Sequence, residues 1–159
     1  MNEILIRREK RNLGYPNAAA LIKKAANRTL QEEGIEEECV FSVLLTDDEG
    51  IRAVNRAFRE TDAVTDVLSF PMNELTPGAF DPDLCEREPD TGRILLGDMM
   101  LNLVRCAQQG EEFGHGFAHE VQYLTTHSVL HLLGYDHTDD GEMKRQMRRR
   151  EKTIMGEEE

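Results

Sequence analysis

Three histidines in the last third of the chain constrain its fold most strongly. His127 and His131 are four residues apart, so on a helix their side chains lie on one face, with the Cβ atoms about 5–6 Å apart. Gly134 can adopt the left-handed conformation that ends a helix and turns the chain back. That turn returns His137 to the same point in space. The sequence therefore predicts a helix, a glycine turn and three converging imidazoles.

Three neutral imidazoles with one open coordination position are the ligand set of a catalytic zinc site. We therefore predict that His127, His131 and His137 bind one Zn²⁺ ion. Zinc is favoured because imidazole suits it and it is redox-inert, although nickel, copper and manganese accept the same ligands. Asp136 has two open interpretations, as the acceptor that orients a ligand N–H or as a residue that links the helix to the next segment.

The histidine spacing resembles the long metzincin protease signature in every element except its glutamate. Ser128 stands where a zinc protease carries that general base. A serine cannot deprotonate water as the glutamate does. A bound metal could still lower the pKa of its water towards about 7 and polarise a phosphoryl oxygen. The sequence therefore favours phosphodiester hydrolysis over proteolysis.

Length and charge limit the classes of partner. The 159 residues carry a net charge of −12 and predict a single domain over 1–159, large enough for a hydrophobic core. Such a protein repels nucleic acid at long range, so a polyanion must meet a local basic cleft or the metal. No apolar stretch is long enough for a membrane span or a signal peptide. The three cysteines are widely spaced, which is typical of reduced thiols. We expect a cytoplasmic protein with no membrane partner.

The chain shows four strand patterns and five helix patterns, which predict an α+β or an α/β domain. A capping box from Thr46 to Glu49 is predicted to begin the second helix, and Gly97-Asp98 is predicted to interrupt the fourth strand. Residues 72–92 combine prolines, glycines and acids and are predicted to form a mobile acidic loop. Residues 156–159 are predicted to be a frayed tail. The predicted strands lie near 4–6, 40–45, 67–70 and 94–101, and the helices near 18–33, 46–58, 103–112, 116–133 and 139–155.

Two basic regions have alternative interpretations. Arg56 and Arg59 could be surface charges, or Arg59 could clamp a phosphate and stabilise charge that develops in a transition state. The last helix concentrates five cations between residues 144 and 150, with Met143, Met147 and Ile154 predicted to face the core. That basic helix is a solvated face or a contact for RNA or the ribosome. Its cations are Lys144, Arg145, Arg148, Arg149 and Arg150.

Four segments, in this order, together resemble the YbeY family of bacterial rRNA maturation factors. The resemblance extends from about Leu44 to Ile154. Two departures are the acidic 72–92 loop and Glu60, which follows Arg59 where a small residue is commoner. The segments are Asn-Arg-x-Phe-Arg at 55–59, Thr-Asp-Val-Leu-Ser-Phe-Pro at 65–71, Leu-Gly-Asp at 96–98 and the histidine segment at 127–137.

The resemblance implies a single-strand-specific, zinc-dependent endoribonuclease. Its expected role is 16S rRNA 3′ end processing and ribosome quality control. Expected partners are single-stranded rRNA, the ribosomal small subunit and assembly proteins, with no DNA. The implied fold is α+β and zincin-like, with a mixed four-stranded sheet and about five helices. By matching residues, His127, His131 and His137 become the zinc ligands and Arg59 the functional arginine of the RNA-binding cleft.

Our hypothesis is metal-assisted cleavage of RNA, in which Arg59 is the catalytic residue that neutralises transition-state charge. No carboxylate base is identified from the sequence. One alternative is a ribosome-assembly factor whose zinc mainly holds the fold. The other is a zinc peptidase, against which Ser128 argues.

Overall fold

The computed structural model describes residues 1–136 and 141–157. Within them the chain forms four strands, five α-helices and one short 3₁₀ turn at Pro82–Leu84. The strands are β1 (Glu3–Arg8), β2 (Cys39–Thr46), β3 (Val67–Pro71) and β4 (Ile94–Asn102), and the helices are α1 (Ala18–Glu32), α2 (Asp48–Arg59), α3 (Leu103–Glu112), α4 (Phe117–Leu132) and α5 (Glu142–Met155).

The four strands form one mixed sheet in the order β1-β2-β4-β3. β2 pairs in parallel with β1 and β4, whereas β3 runs antiparallel to β4 at the edge of the sheet. The predicted α+β class, with a mixed four-stranded sheet and five helices, is confirmed. The zincin-like description fits this arrangement only in outline.

Helices cover both faces of the sheet, but unequally. On one face α1, α3, α4 and α5 pack on the inward side chains of β2 and β4 and enclose the main core. On the other face α2 packs alone, with Ile51 buried against Leu68 and Met100. Consecutive residues of a strand point to opposite faces, so Met99 lies in the main core and Met100 beneath α2. α2 and α4 therefore lie on opposite faces of the sheet, and both reach the edge strand β3, where Arg59 and Ser128 each contact Ser69.

The predicted interruption of the fourth strand at Gly97-Asp98 is wrong. β4 is continuous from Ile94 to Asn102, but its register to β2 shifts by one residue between Leu95 and Gly97. Gly97 has a φ of 135°, and a Cβ there would lie 2.2 Å from the Phe70 carbonyl oxygen. The glycine therefore allows a bulge in the strand rather than ending it.

The ends of α2 also differ from the prediction. Its N-cap is Asp47, whose side chain accepts a hydrogen bond from the Gly50 N–H at 3.0 Å, and not Thr46. The helix ends at Arg59, and Glu60 follows with a left-handed φ of 55°. Left-handed backbone at this position favours glycine. This explains why a small residue is expected after Arg59.

Residues 72–92 lie along the start of β4. Asn73 donates to the Leu95 carbonyl at 2.8 Å and accepts from the Glu86 N–H at 2.9 Å. The mobility of this loop and the single domain over 1–159 stay predictions. So does the frayed tail, although Gly156 caps α5 in the described part of the chain. No helix within residues 1–136 and 141–157 is long and apolar enough to cross a membrane.

Candidate active site

A cleft of about 640 Å³ opens between β3, the first residues of the acidic loop and the C-terminal half of α4. It brings the end of α2 beside the histidine helix. Its lining combines two imidazoles, one guanidinium and three carboxylates: His127, His131, Arg59, Asp66, Glu74 and Asp136, with Thr65, Val67, Leu68, Ser69, Pro71, Asn73, Leu75, Gly134 and Tyr135.

The two imidazoles of α4 converge as the spacing predicts. His127 and His131 are one helical turn apart, and their Nε2 atoms are 3.2 Å from each other. The ring planes are nearly perpendicular, at 81°, with the centroids 4.7 Å apart. Both Nε2 atoms thus point towards the same position in the cleft.

The ring nitrogen of His127 that faces away from His131, Nδ1, contacts a buried carboxylate. This Nδ1 lies 2.5 Å from Oε2 of Glu151 on α5, and Glu151 is only 5% exposed. The other carboxylate oxygen accepts from the Tyr123 hydroxyl at 3.0 Å. A carboxylate accepts hydrogen bonds, so this contact assigns the ring proton to Nδ1 and leaves the lone pair on Nε2.

His131 is oriented by the turn that follows the helix. Its Nδ1 lies 2.9 Å from the Tyr135 carbonyl oxygen, an acceptor that again places the proton on Nδ1. The turn depends on Gly134, which has a φ of 103° and would bring a Cβ to 2.2 Å from the Leu75 carbonyl oxygen. The Tyr135 hydroxyl donates in turn to Glu33, the C-cap residue of α1, at 2.6 Å.

This geometry fits a zinc ion. Two nitrogens bound to one tetrahedral zinc at about 2.0–2.1 Å lie about 3.3–3.4 Å apart, close to the 3.2 Å between the two Nε2 atoms. Both rings also have the outer hydrogen bond typical of zinc-binding histidines. The third predicted ligand, His137, lies outside the described residues. Within residues 1–136 and 141–157 there is no group of three ligating side chains, so the complete ligand set stays a prediction.

Ser128 is turned away from the cleft. It is fully buried, and its Oγ lies 2.6 Å from Oγ of Ser69 on β3. The residue at the position of the protease glutamate therefore joins α4 to the sheet. This weakens the peptidase alternative further, because a buried serine hydroxyl supplies no general base.

Arg59 reaches the cleft from the end of α2. Its Nη2 donates to the Ser69 carbonyl oxygen at 2.5 Å, and its guanidinium carbon lies 5.2 Å from the centroid of the Phe70 ring. A cation over an aromatic face is attracted by the ring quadrupole. One hydrogen bond and one aromatic contact thus hold the guanidinium on the cleft wall.

Sequence reasoning missed Glu151. The signal was present, because residues 147, 151 and 154 share one face of a helix and a carboxylate on such a buried stripe needs a partner. Met147 and Ile154 are buried as predicted, whereas Met143 is 39% exposed, so its predicted core position is wrong. The acceptors at Nδ1 of the first two histidines are Glu151 and the Tyr135 carbonyl, and both interpretations of Asp136 stay predictions.

The cations of α5 are divided between two uses. Arg145 and Arg149 contact Glu142, and Arg150 contacts Glu33. Arg148 instead lines a second cleft with Phe113 and His119. Among the described residues, Arg145, Arg149 and Arg150 are therefore engaged in ion pairs.

A mixed sheet that carries paired imidazoles and an arginine in one cleft is the framework of a hydrolase. A model of the family endoribonuclease YbeY matches residues 3–158, and the chain belongs to that family. This membership confirms the predicted family and, with it, the predicted class of enzyme.

Named relatives and a solved structure agree with this assignment. The chain is 46% identical to endoribonuclease YbeY of Clostridium acetobutylicum, with 87% of each chain covered. It is 41% identical to the Clostridium kluyveri protein of the same name, with 85% of each covered. The solution structure of TM1509 from Thermotoga maritima has a TM-score of 0.57 at 23% identity, covering 97% of this chain and 90% of that one. This last similarity supports the fold.

Proposed function

We propose that the protein is a single-strand-specific, zinc-dependent endoribonuclease that processes the 3′ end of 16S rRNA and takes part in ribosome quality control. The observation that carries the proposal is the cleft in which the Nε2 atoms of His127 and His131 converge beside Arg59. Family membership supplies the substrate class, because the relatives are named endoribonucleases.

The histidines would hold the metal, with His137 as the third ligand. A zinc ion bound there would supply a Lewis acid for a phosphoryl oxygen and acidify a bound water. The chain's own part is to fix the two described rings. Glu151 and the Tyr135 carbonyl keep the protons on Nδ1, so both Nε2 atoms remain available as electron-pair donors.

Arg59 would bind the scissile phosphate. A guanidinium has five N–H donors, and the described residues use one of them, at the Ser69 carbonyl. The remaining donors suit phosphate oxygens, whose negative charge grows during cleavage. The contact with Phe70 limits side-chain motion, so less conformational freedom is lost when phosphate binds.

The ribosomal small subunit and its assembly proteins are the proposed partners, and a cytoplasmic location belongs to the same proposal. The acidic molecule supports a substrate that is recognised locally in the cleft rather than through a broad basic surface.

Arg59→Ala tests the proposal directly. We expect the purified variant to keep its zinc and its fold but to lose cleavage of a single-stranded RNA by about 10²–10³-fold, because an aligned donor to a transition-state oxyanion contributes that much. Arg149→Ala is the control, because Arg149 is exposed, pairs with Glu142 and does not line the cleft of the histidines. Zinc is measured by elemental analysis, and cleavage is compared on single-stranded and duplex RNA with and without a chelator. Undiminished cleavage by zinc-loaded Arg59→Ala contradicts the proposal.

One observation favours the alternative in which zinc mainly holds the fold. Glu151 joins α5 to His127 and Tyr123 of α4 in a buried network, so metal loss would also loosen the contact between the two helices. That alternative predicts that His127→Ala unfolds the protein and that ribosome binding survives Arg59→Ala. Circular dichroism and cosedimentation with ribosomal subunits distinguish the two cases.

A further inference from the structure

Phe58 is an aromatic side chain presented to solvent beside the candidate active site. It is 74% exposed, and among the large apolar side chains of the described residues only Met1 is more exposed. A single exposed apolar residue is ordinary on a protein surface. The surroundings of Phe58 therefore decide whether it has a use.

Phe58 forms one surface with Phe70 and Arg59. The Phe58 and Phe70 rings meet edge to face, with the centroids 6.2 Å apart at 71°. Phe70 carries the guanidinium of Arg59 at 5.2 Å, and Arg59 lines the cleft of the two histidines. These three side chains, called here the Phe58 platform, extend without a break from the exposed face of α2 to the cleft.

One cation of an otherwise acidic protein belongs to the platform. Arg59 follows Phe58 directly in the last turn of α2, and Arg56 lies three residues before Arg59, on the same side of the helix as that arginine. Arg56 is exposed and makes no salt bridge with the described residues, whereas Arg52 on the same helix is bonded to Asp62 at 2.7 Å. Within a molecule of net charge −12, an exposed aromatic ring connected to Arg59 through Phe70 is complementary to one kind of ligand, a nucleic-acid strand with accessible bases.

We propose that Phe58 stacks an unpaired nucleobase of the RNA strand whose phosphate is bound at Arg59. The inference rests on the proposed function and adds a base-binding subsite to it. In a duplex each base is already stacked and paired, so its face is covered, whereas a single strand can turn a base out onto an aromatic ring. The platform thus provides a physical origin for single-strand selectivity that the metal ligands and Arg59 do not provide.

The first test compares Phe58→Ala with Phe58→Trp. Phe58 is mostly exposed, so both variants are expected to fold, which circular dichroism verifies. We expect Phe58→Ala to weaken binding of a single-stranded oligoribonucleotide by about 5- to 150-fold, the range that one stacked base contributes. Phe58→Trp should retain the wild-type affinity, because tryptophan also offers an aromatic face. Phe113→Ala is the matched control, because Phe113 is 56% exposed but lies at the second cleft.

The second test identifies the stacked base. A series of oligoribonucleotides, each with one abasic position, is titrated against the wild type and Phe58→Ala by fluorescence anisotropy. One abasic position should weaken binding to the wild type but not to Phe58→Ala, because the ring and the base act as one pair. Binding of a blunt-ended RNA duplex of two separate strands should be equal in all variants.

The outcomes separate this inference from the proposed function. If Phe58→Ala binds every oligoribonucleotide like the wild type while Arg59→Ala abolishes cleavage, the base subsite is wrong and the proposed function stands. If the abasic and Phe58→Ala losses add independently, the platform does not stack a base. If only binding to a ribosomal protein is weakened, the platform is a protein contact and the inference is overturned.

Discussion

Glu151 shows how one distant carboxylate can determine what an imidazole does. It lies on α5, 24 residues beyond His127 in the chain, and its two oxygens contact His127 and Tyr123. Burial beside this carboxylate also raises the pKa of the Tyr123 hydroxyl, which therefore stays protonated and donates. The pair of contacts fixes both the tautomer and the direction of the first histidine.

Glu151→Gln should weaken zinc binding by about 10- to 100-fold, the effect typical of mutating the hydrogen-bond partner of a metal-binding histidine. The amide keeps the volume of the side chain but loses the charge. Competition with a chromophoric chelator measures the zinc affinity of the purified protein.

Glu120→Gln is the control for that substitution. Glu120 is equally buried, lies on α4 and contacts Gln109 rather than an imidazole, and desolvation already raises the pKa of its carboxyl. Equal zinc affinity of Glu151→Gln and the wild type would show that the carboxylate does not support the site.

The residues differ in how far the sequence predicts them. His127 and His131 follow from a local rule, because four residues make one helical turn. Glu151 and the Ser69–Ser128 contact depend on which helix packs beside which, and their separations of 24 and 59 residues carry no local pattern. A carboxylate within the apolar face of a helix indicates from the sequence that it is buried, but the sequence does not identify the residue that it contacts.

At the scale of elements, the end of α4 and the acidic loop form a single unit. Gly134 allows the turn after His131 and also the close approach of the Leu75 backbone. Leu75 and Gly134 both line the cleft. The shape of this wall therefore depends on a residue that has no side chain.

Gly134→Ala and Gly34→Ala separate these two roles. Both glycines have positive φ, but a Cβ at Gly34 meets nothing within 4 Å. We expect Gly34→Ala to lower the free energy of unfolding by about 1–2 kcal/mol through backbone strain alone. Gly134→Ala should lower it further and also weaken zinc binding, because the loop must move. Urea denaturation measures the free energy of unfolding of both variants. Equal losses in the two variants would show that the Leu75 contact has no energetic importance.

Element boundaries show a similar limit of prediction. The pattern of residues 103–112 gives α3 with its observed bounds. The bulge at Gly97 resembles a strand break in the sequence, because a glycine and an aspartate are both poor strand formers. Only the pairing of β4 with neighbours on both sides keeps the strand continuous.

For the whole molecule, composition and periodicity leave α+β and α/β open. The sheet is parallel except for β3, and both of its faces are covered. Strands buried on both faces lose the alternation that would reveal their pairing. The resemblance of four ordered segments resolves the fold class because it covers the chain from about 44 to 154.

The small number of cations near the cleft predicts a shallow salt dependence of RNA binding, although the molecule as a whole is acidic. Each phosphate contact on a single strand contributes a slope of about −0.7 to log K against log salt concentration. With Arg56 and Arg59 as the contacts, the slope should be about −1.4, and Arg59→Ala should reduce its magnitude by about 0.7. Titrations at several salt concentrations give both slopes.

Arg149 lies on α5 and does not line the cleft. Arg149→Ala should therefore leave that slope unchanged. A slope several times steeper in the wild type would mean that RNA follows a longer basic surface, such as α5, instead of the cleft.

The position of β3 at the edge of the sheet has a consequence for any inactive Arg59 variant. Edge strands can pair with another molecule through their uncovered backbone groups, and Arg59 covers one such group, the Ser69 carbonyl. Removing the guanidinium uncovers this acceptor next to the exposed Met72. Arg59 then limits self-association as well as binding phosphate. The loss of activity of an Arg59 variant can therefore be assigned to catalysis only when the variant remains as monodisperse as the wild type.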